Sequence, residues 1–472
     1  MTATAAAAAP SINPQVQQLF AAAMERQGQG DAQGAFDLYV RVLEQEPFLP
    51  DAYNNLAILL KAQRRLPAAV ACLERAVQLA PETGAFWSNL GNLLWMSLRF
   101  DEAMAAFRRA LALEPDRHET HHNLGLLQFS LGDFAAAVES YDRALALTPG
   151  ARLVRWDRAL ALLASGDLAA GFAAYDARFD LDDPTMNFDP LLRQARALAV
   201  PLWQGEDLSG KTLFVYAEQG HGDTLQFARF LPLAAARGAR VIFACAAELA
   251  RLMASVPGIA ELRVLAPSTP LPPADFQLPL MSLPGRLGVT LATLPNAVPY
   301  LAPPLAVVGP GVPRPRGTRL AVGIAWAGRP EHSNDANRSM ALEDLLRLAD
   351  LPGIALYSLQ VGARAGDIAK AAAAPLISDF SPQIADFADT ARLVEQLDLV
   401  ICIDTALAHL AGALGRPCFV LLPFTADWRW LGGREDSPWY PSLRLFRQPA
   451  PRDWASVIAR VRETLAALLA AP

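Results

Sequence analysis

Proline recurs in the first third of the chain at a fixed step of 34 residues, at Pro47, Pro81, Pro115 and Pro149. The same step connects three other sets of positions: Leu56, Leu90 and Leu124; Ala57, Gly91 and Gly125; Leu73, Phe107 and Tyr141. Self-similarity at such a period indicates stacked copies of one supersecondary unit, because a single unit cannot bury its own apolar face. This part of the chain is therefore predicted to be a solenoid.

Each repeat is long enough for two antiparallel helices. Small residues at the Ala57 position let the two helices approach closely, and large residues at the Leu73 position fill the gap between them. Proline ends each unit because it cannot continue a helix. The pattern resembles the tetratricopeptide repeat. We place the units at 16–49, 50–83, 84–117, 118–151 and, in a degenerate form that suits a cap or junction, 152–185.

Five asparagines fall on the first helices of the repeats, which usually line the concave face of such a solenoid: Asn54, Asn55, Asn89, Asn92 and Asn123. Their amides are predicted to bind the backbone of a protein or peptide acceptor. The alternative is that they are solvated polar positions. The pair His121–His122 has no carboxylate or cysteine partner at metal-ligand spacing, so it is interpreted as structural.

The 34-residue period stops after about residue 185. Short apolar runs then alternate with helical stretches, which is typical of doubly wound parallel sheets. Strands are predicted at 213–218, 240–244, 320–326, 354–359, 398–403 and 417–422, and helices at 223–237, 341–350, 386–396, 405–414 and 453–470. A proline-rich linker at 303–317 would separate two Rossmann-like halves, 186–302 and 318–472, with a ligand cleft between them.

Composition narrows the class of protein. Lys plus Arg number 41 against 47 for Asp plus Glu, and this acidic balance argues against broad capture of nucleic acid. Without an apolar run of 18 residues free of charge and proline, no transmembrane segment is expected. Residues 1–15 are interpreted as a disordered leader and not as a signal peptide. Four scattered cysteines favour a reducing compartment, so a cytoplasmic location is expected.

The loop after the first predicted strand reads Glu-Gln-Gly-His-Gly-Asp-Thr (218–224). Its two glycines let the backbone turn tightly, but Leu225 stands where a dinucleotide-binding loop needs a third glycine. Asp223 is interpreted in two ways: as the N-cap of the following helix, or as a general base that takes a proton from an acceptor hydroxyl. His221 is grouped with it as a catalytic candidate.

Asp404 and Thr405 follow another predicted strand, and His409 lies one helical turn after Thr405 on the same face. The N-terminus of that helix offers free amide donors and the positive end of the helix dipole. The three residues are therefore predicted to bind a diphosphate. A satisfied helix histidine is the alternative for His409.

The long polar loop 326–339 also follows a predicted strand, a place where loops are more often functional than idle. Arg338 is predicted to bind a phosphate group, since a guanidinium pairs bidentately with phosphate, and Asn334 and Ser339 are grouped with it as candidates for binding the same ligand. Ser339 is also predicted to cap the helix that follows. Gln360, just past a further strand, is predicted to touch the nucleotide base or ribose. For the loop 326–339, the alternative is an ordinary solvated loop without a ligand.

Aromatic clusters at 427–430 and 437–440 either stack on a sugar or base, or pack in the interior. No DxD motif sits at a strand end and no His/Cys cluster occurs, so no metal site is predicted.

The second part of the chain resembles bacterial glycosyltransferases of the GT-B fold, most closely the heptosyltransferase-like family found fused to tetratricopeptide repeats. The motifs that carry the resemblance are PLWQGEDLSGKTL (201–213), AEQGHGDTLQFARF (217–230), PLMSLP (279–284), WAGRPEHSNDANRS (326–339), IADFADTARLVEQLDLVICIDTALAHLAGALGRP (384–417) and DSPWYPSLRLFRQ (436–448). The resemblance implies an α plus α/β architecture, in which an N-terminal α-solenoid precedes two Rossmann-like domains.

The resemblance also implies roles for site residues. Asp223 occupies the place of the heptosyltransferase base, and Arg338 is the nearest match to the basic residue that contacts the donor diphosphate. Asp404, Thr405 and His409 match the motif that frames the donor phosphates. Ala406 stands where heptosyltransferases usually have glycine.

The expected function is metal-independent transfer of a sugar from a nucleotide-sugar, which is a substrate and not a cofactor, to a hydroxyl group. By analogy with protein O-GlcNAc transferases and flagellin glycosyltransferases, the acceptor is expected to be a protein held by the repeats, such as flagellin or another surface protein. The alternative is a repeat scaffold with a catalytically inactive GT-B domain. A dinucleotide oxidoreductase is disfavoured by Leu225 and by the missing ribose-binding acid.

Overall fold

The computed structural model describes residues 13–181, 200–264, 272–304, 311–332 and 334–470. The chain divides into two compact units, 1–154 and 155–472. Most of the predicted leader and parts of the predicted linker and first Rossmann-like half lie outside the described residues. The predicted domain boundaries stay predictions.

The first unit consists of helical hairpins, which confirms the solenoid predicted from the 34-residue period. Its helices are α1 (Pro14–Gly28), α2 (Ala32–Gln45), α3 (Pro50–Ala62), α4 (Leu66–Leu79), α5 (Gly84–Met96), α6 (Phe100–Leu113), α7 (His118–Ser130) and α8 (Phe134–Leu147).

Small and large residues face each other within each hairpin, as predicted. A Cβ atom built on Gly91 would lie 2.7 Å from the ring of Phe107, and one on Gly125 would lie 2.5 Å from the ring of Tyr141. Where the first helix carries Ala57 instead of glycine, its partner on the second helix is a leucine. The summed volume is thus kept roughly constant from repeat to repeat, as close packing requires.

The prolines that mark the period also accept a recurring hydrogen bond. Tyr53, Trp87 and His121 are equivalent residues, and each reaches the carbonyl oxygen of the proline six positions earlier. The distances are 3.3 Å from the Tyr53 hydroxyl, 2.9 Å from Trp87 Nε1 and 2.8 Å from His121 Nε2. The structural interpretation of His121 is thereby supported.

The turn inside each hairpin repeats one unusual backbone conformation. Gly30, Arg64, Leu98, Gly132 and Gly166 are 34 residues apart, and all have positive φ, between 58° and 93°. Glycine adopts this left-handed region without strain, whereas for other residues the conformation costs about 1–2 kcal/mol. The repeat therefore demands a conformation that only three of the five residues suit.

The second unit opens with a fifth helical pair and continues into two sheets. Its helices are α9 (Arg152–Ser165), α10 (Leu168–Ala174), α11 (His221–Phe227), α12 (Leu231–Ala236), α13 (Ala247–Met253), α14 (Leu283–Leu287), α15 (Asp335–Arg338), α16 (Leu342–Leu346), α17 (Asp367–Lys370), α18 (Phe387–Gln396), α19 (Ala406–Ala413) and α20 (Trp454–Ala470). The division between the compact units falls inside α9, so the fifth pair belongs with the sheets.

The first sheet has four parallel strands in the order β3-β2-β1-β4. They are β1 (Thr212–Tyr216), β2 (Arg240–Cys245), β3 (Ile259–Val264) and β4 (Phe276–Pro279). The direction of strand succession reverses between β1 and β4. Parallel sheets bind ligands at the carboxyl ends of strands beside such a switch point.

The second sheet has six parallel strands in the order β10-β9-β8-β5-β6-β7. They are β5 (Leu320–Ala325), β6 (Ile354–Ser358), β7 (Ile377–Asp379), β8 (Leu399–Ile403), β9 (Cys418–Leu422) and β10 (Leu443–Arg447). Its switch point lies between β5 and β8, and its core gathers Val322, Ile324, Ile401, Leu421 and Val457. Two parallel sheets flanked by helices confirm the predicted fold class.

The six predicted strands are all present, but β3, β4, β7 and β10 were not predicted. These four strands are the edges of the two sheets. The predicted helix 223–237 is interrupted by a 3-10 turn, Ala228–Phe230, and the helix that follows it begins at Leu231, with Pro232 in its first turn. The predicted closing helix is present, and Asp453 caps it, since its Oδ1 accepts the N–H of Ser456 at 3.0 Å.

Candidate functional site

An arginine side chain occupies the switch point of the first sheet, between the carboxyl ends of β1 and β4. Arg178, in the turn after α10, is fully buried and donates two hydrogen bonds to Glu218, at 3.0 Å from Nε and 2.7 Å from Nη2. Glu218 follows β1 and also accepts the N–H of Met281, which follows β4, at 3.1 Å. The fifth helical pair thereby fixes the loop that leads to Asp223.

Asp223 is held from two sides. Its Oδ2 accepts the N–H of Gly220 at 2.8 Å, which is the half of a capping box that a glycine N-cap allows. The interpretation of Asp223 as the N-cap is wrong, because α11 begins two residues earlier and Gly220 occupies the N-cap position. Its Oδ1 accepts from Arg429 Nη2 at 2.5 Å. Arg429 also donates to Asp427 Oδ1 at 2.8 Å and to Gln226 Oε1 at 2.9 Å. Burial opposes the guanidinium charge, but Asp427 and Asp223 hold the pKa of Arg429 above its usual value.

The two halves of the second unit meet where α11 packs against α19. A Cβ atom on Gly222 would lie 3.0 Å from Cδ2 of His409 and 3.4 Å from Cα of Ala406. A side chain at position 222 would be in tight contact with α19, and its neighbours would have to shift slightly to accommodate it. The predicted catalytic loop therefore lies directly against the helix predicted to hold the donor.

Arg338 and Asp404 come together, although 66 residues separate them. Arg338 Nη1 donates to the backbone oxygen of Asp404 at 3.3 Å. Its Nε is 3.9 Å from Asp335 Oδ1 and makes no hydrogen bond to the residues that the structure describes. Burial, and then Asp427, raise the pKa of Asp404 to about 6 against the opposing effect of Arg338. Such a carboxyl group exchanges protons near neutral pH.

The polar loop before Arg338 is braced by its own side chains. Ser339 Oγ accepts the N–H of Gly328 at 3.0 Å and donates to Asp335 at 2.7 Å, while Asn334 accepts from a neighbouring asparagine at 2.8 Å. The prediction that Ser339 caps the next helix is wrong, because Ser339 follows the end of α15 and α16 begins only at Leu342.

Gln360 is buried and its amide is fully engaged. Its Oε1 accepts the N–H groups of Trp326 and Ala327 at 3.1 and 3.0 Å, and its Nε2 donates to the carbonyls of Ala327 and Val361, both at 3.1 Å. These four bonds use the hydrogen-bonding capacity of the amide. Gln360 thus supports the end of β5, and this geometry does not favour its predicted contact with a base or ribose.

His409 is buried, with Nδ1 3.0 Å from the hydroxyl of Tyr440 and its ring stacked on Trp430 at 5.2 Å between centroids. Burial, with two nearby arginines, lowers its pKa well below the usual value, so the imidazole is neutral at pH 7. A diphosphate would therefore meet a neutral ring and not a cation. Thr405 occupies the N-cap position of α19 and is half-buried.

His221 begins α11 and packs edge-on against Phe387, with ring centroids 5.2 Å apart. Burial, and then Arg329, lower the pKa of His221. Next to Phe387 in the sequence, Asp386 caps α18 and pairs with Arg251 of α13 at 2.9 Å. These contacts also join the two halves.

The aromatic side chains after β9 pack inside the molecule. Trp428 and Trp439 are buried, with ring centroids 5.9 and 6.5 Å from Phe172 of α10 and 6.4 and 6.1 Å from Phe227 of α11. Of the two interpretations of this cluster, packing is the one that the structure supports. The cluster joins the fifth helical pair to both halves.

The five candidate asparagines of the first unit are half-buried, and three of them form a chain of hydrogen bonds. Asn89 donates to Asn54 at 2.7 Å, Asn54 to Asn55 at 3.1 Å, and Asn55 to a buried tyrosine hydroxyl of α2 at 3.2 Å. Asn92 and Asn123 lie on α5 and α7. Some of the asparagine amides therefore form hydrogen bonds between neighbouring repeats. Their predicted role in peptide recognition stays a prediction.

Within the described ranges, no group of three or more His, Cys, Asp or Glu side chains is placed to hold a metal ion. No helix of the described part of the chain has the length and apolar character needed to cross a membrane.

Arg429, Asp427 and the Arg178–Glu218 pair were missed as site residues. Arg429 and Asp427 lie inside a segment interpreted as aromatic, and their charges among tryptophans were the available signal, since a buried charge needs a partner. The partner of Arg429 lies 206 residues away, which no local pattern reveals.

Two family models match the chain. A tetratricopeptide repeat model matches residues 54–118 and 122–184, and the model of glycosyltransferase family 9 (heptosyltransferase) matches residues 368–444. The second match includes Asp404, His409 and Arg429. The chain therefore carries tetratricopeptide repeats in its N-terminal region and a glycosyltransferase family 9 domain after them.

Protein FlbA of Caulobacter vibrioides is 28% identical over 310 residues, which cover 59% of this chain and 50% of FlbA. The chain thus matches half the length of that relative. Among solved structures, MamA is 22% identical over 35% of this chain and 86% of its own (TM-score 0.30). PilW, a type IV pilus biogenesis factor, is 23% identical over 36% and 81% (TM-score 0.34). A thermophilic tetratricopeptide repeat protein of Thermus thermophilus is 21% identical over 35% and 91% (TM-score 0.32).

Proposed function

We propose that this chain, which joins tetratricopeptide repeats to a glycosyltransferase family 9 domain, transfers a sugar from a nucleotide-sugar to a hydroxyl group of a protein acceptor. The family match supports glycosyl transfer in general. The donor, the acceptor and the roles of single residues are part of the proposal.

One observation carries the proposal: groups suited to glycosyl transfer converge from three strand ends. Asp223 follows β1, Arg338 lies in the loop after β5, and Asp404 and Thr405 follow β8 at the start of α19. The contact of Gly222 with Ala406 joins the first group to the third, and the bond from Arg338 to Asp404 joins the second to the third.

In the proposed reaction, Asp223 takes the proton of the acceptor hydroxyl as a general base. Arg338 and the amide groups at the start of α19 stabilise the charge that develops on the leaving diphosphate. Because these groups meet that charge, we propose that the transfer needs no metal ion. His409 contributes a neutral ring hydrogen bond or shapes the site.

The repeats are proposed to recruit the protein that carries the acceptor hydroxyl, with the asparagine-bearing helices α3, α5 and α7 as the recognition surface. We further propose a cytoplasmic reaction. Three of the four cysteines are buried, and all four are unpaired, which suits a reducing compartment.

The test is turnover by the full-length chain of a panel of UDP-, GDP-, ADP- and CMP-linked sugars, with nucleotide release as the readout. Asp223→Asn is expected to lower turnover on the order of 100-fold, because the amide cannot accept a proton. Asp207→Asn, an exposed aspartate of the same half, is the matched control and should retain the wild-type rate. Excess EDTA should leave turnover unchanged. An unaltered rate in Asp223→Asn would remove the base role.

A binding module without catalysis is the second candidate. It is favoured by the close packing of Gly222 on α19 and by the ion pair that already engages Asp223. Calorimetry with the same panel of nucleotide-sugars separates the two, since failure to bind every donor would favour the scaffold.

A further inference from the structure

We infer that Arg429 is a positioning residue for the proposed reaction: it orients the carboxylate of Asp223 toward the acceptor, through contacts that exist only when the two halves of the second unit are together. This inference rests on the proposed function. It concerns a residue of the candidate aromatic segment 427–430 to which the sequence analysis assigned no role of its own.

The guanidinium of Arg429 uses its three nitrogens on three different side chains. Nη2 donates to Asp223 at 2.5 Å and Nε to Gln226 at 2.9 Å, both in α11 of the first half. Nη1 donates to Asp427 at 2.8 Å, in the same half as Arg429. Because the guanidinium is planar and its donors have fixed directions, these bonds fix the position of Asp223 relative to the second half.

The carboxylate of Asp223 keeps the capacity to act as a base in this arrangement. One oxygen accepts from Gly220 and the other from Arg429, so the carboxylate is anchored at both ends. A carboxylate has about four lone-pair sites, and two of them remain for an acceptor hydroxyl. An anchored base of this kind spares the reaction the cost of orienting it.

Burial distinguishes the two members of the pair. The side chain of Asp223 is 18% exposed and that of Arg429 is 9% exposed. The Arg429 guanidinium also lies over the ring of Trp428, 4.4 Å from its centroid, which restricts other rotamers. The acid is thus the more accessible partner, as a base should be, and the arginine is the fixed one.

Arg229 is a natural control. It is as buried as Arg429 and also links the halves, but it donates to the backbone oxygens of Trp439, Gln226 and Pro295 at 2.7, 2.9 and 3.0 Å and to the hydroxyl of Tyr300 at 3.0 Å. None of these partners is Asp223. Loss of Arg229 should weaken the junction of the halves without acting through the base.

The experiment is a double-mutant cycle on the full-length chain with the nucleotide-sugar that the wild type turns over. Arg429→Met is expected to lower kcat about 10- to 100-fold and to change the donor Kd, measured by calorimetry, less than about threefold. Combined with Asp223→Asn, it should cause little further loss, because residues that act as one unit are non-additive. Arg229→Met should lower the urea midpoint, and any loss of kcat should multiply with that of Asp223→Asn.

Arg429→Lys covers the case in which Arg429→Met does not fold. It keeps the charge but replaces the three-directional fork by one ammonium, so an intermediate kcat and the same non-additivity with Asp223→Asn are expected. Multiplicative losses when Asp223→Asn is combined with Arg429→Met or with Arg429→Lys, or a wild-type kcat in Arg429→Met, would overturn the positioning role while the proposed function stands. Absence of wild-type turnover with every donor would overturn the proposed function, and this role with it.

Discussion

The two compact units of this chain differ in the kind of contact that stabilises each from within. In the first unit a contact recurs: Trp87 bonds a carbonyl six residues earlier, and equivalent residues do the same in the neighbouring repeats. In the second unit decisive contacts occur once and span long separations, 40 residues for Arg178 with Glu218 and 206 for Asp223 with Arg429. The structural role of a residue in the first unit can therefore be inferred from the 34-residue period, whereas in the second unit it becomes apparent only from the three-dimensional structure.

The largest expected difference between the units lies in their ion pairs. Arg178→Met leaves the buried Glu218 uncompensated and should lower the free energy of unfolding of the second unit by about 3–5 kcal/mol. The matched change in the repeats is Arg143→Met, whose partner Asp116 lies 2.7 Å away on the surface; it should cost about 0–1 kcal/mol. Urea unfolding of the full chain measures both. Equal losses would contradict the contrast.

The next effect depends on pH and concerns Asp404. Because its folded pKa of about 6 is above its usual value, the protonated carboxyl stabilises the folded state at low pH, and this stabilisation is lost as pH rises from about 4 to about 6. The free energy of unfolding of the wild type minus that of Asp404→Asn should fall by about 3 kcal/mol over this interval and stay level above it. A flat difference between pH 4 and 7 would show that the carboxyl is not buried as described.

A smaller effect tests whether one repeat can adopt the packing of another. Gly125→Ala places a Cβ against Tyr141 and should cost about 1–3 kcal/mol. Adding Tyr141→Leu should recover much of that loss, because the pair then matches Ala57 and its leucine partner. Gly28→Ala, where no atom lies within 4 Å, should be neutral or stabilising by up to about 1 kcal/mol. Thermal unfolding measures all three, and failure of the second change to compensate would contradict the equivalence of the repeats.

The smallest effect concerns the left-handed turn residues. Leu98→Gly should stabilise the first unit by about 0.5 kcal/mol, since relief of the positive φ slightly exceeds the entropy cost of glycine. Gly132→Ala, the reverse change at the equivalent position, should cost about 1 kcal/mol. Denaturant midpoints of the two variants should move in opposite directions, and a shift in the same direction would argue against a common turn.

The strands show what sequence patterns capture. The six predicted strands are the interior ones, which need apolar residues on both faces and therefore form continuous apolar runs. The four missed strands are edges: β3 and β10 contain charged residues, β4 ends in Pro279, and β7 has three residues. Edge strands tolerate charge and proline because one side has no strand partner.

The residues of the candidate site also divide into those that a sequence pattern predicts and those that only the structure identifies. Asp223, Arg338, Asp404 and Thr405 were predicted because each follows an interior strand, and the structure brings them to one place. Gln360 follows a strand too, yet its amide is engaged by backbone groups that only the fold brings near. The charge of Arg429 among tryptophans signals a buried partner, but the identity of that partner could not be predicted, since Asp223 lies in the other half.

The placement of the fifth helical pair has a consequence for how such proteins diversify. Tyr175 and Arg178 are built into the interior of the second unit, so this pair cannot be exchanged along with a repeat array. We expect a usable seam for recombination in the turn 148–151 between α8 and α9, which leaves the four preceding hairpins as an exchangeable cassette. Under the proposed function, the range of protein acceptors and the glycosyl transfer would then be inherited separately, and the fifth pair would be inherited with the transferase.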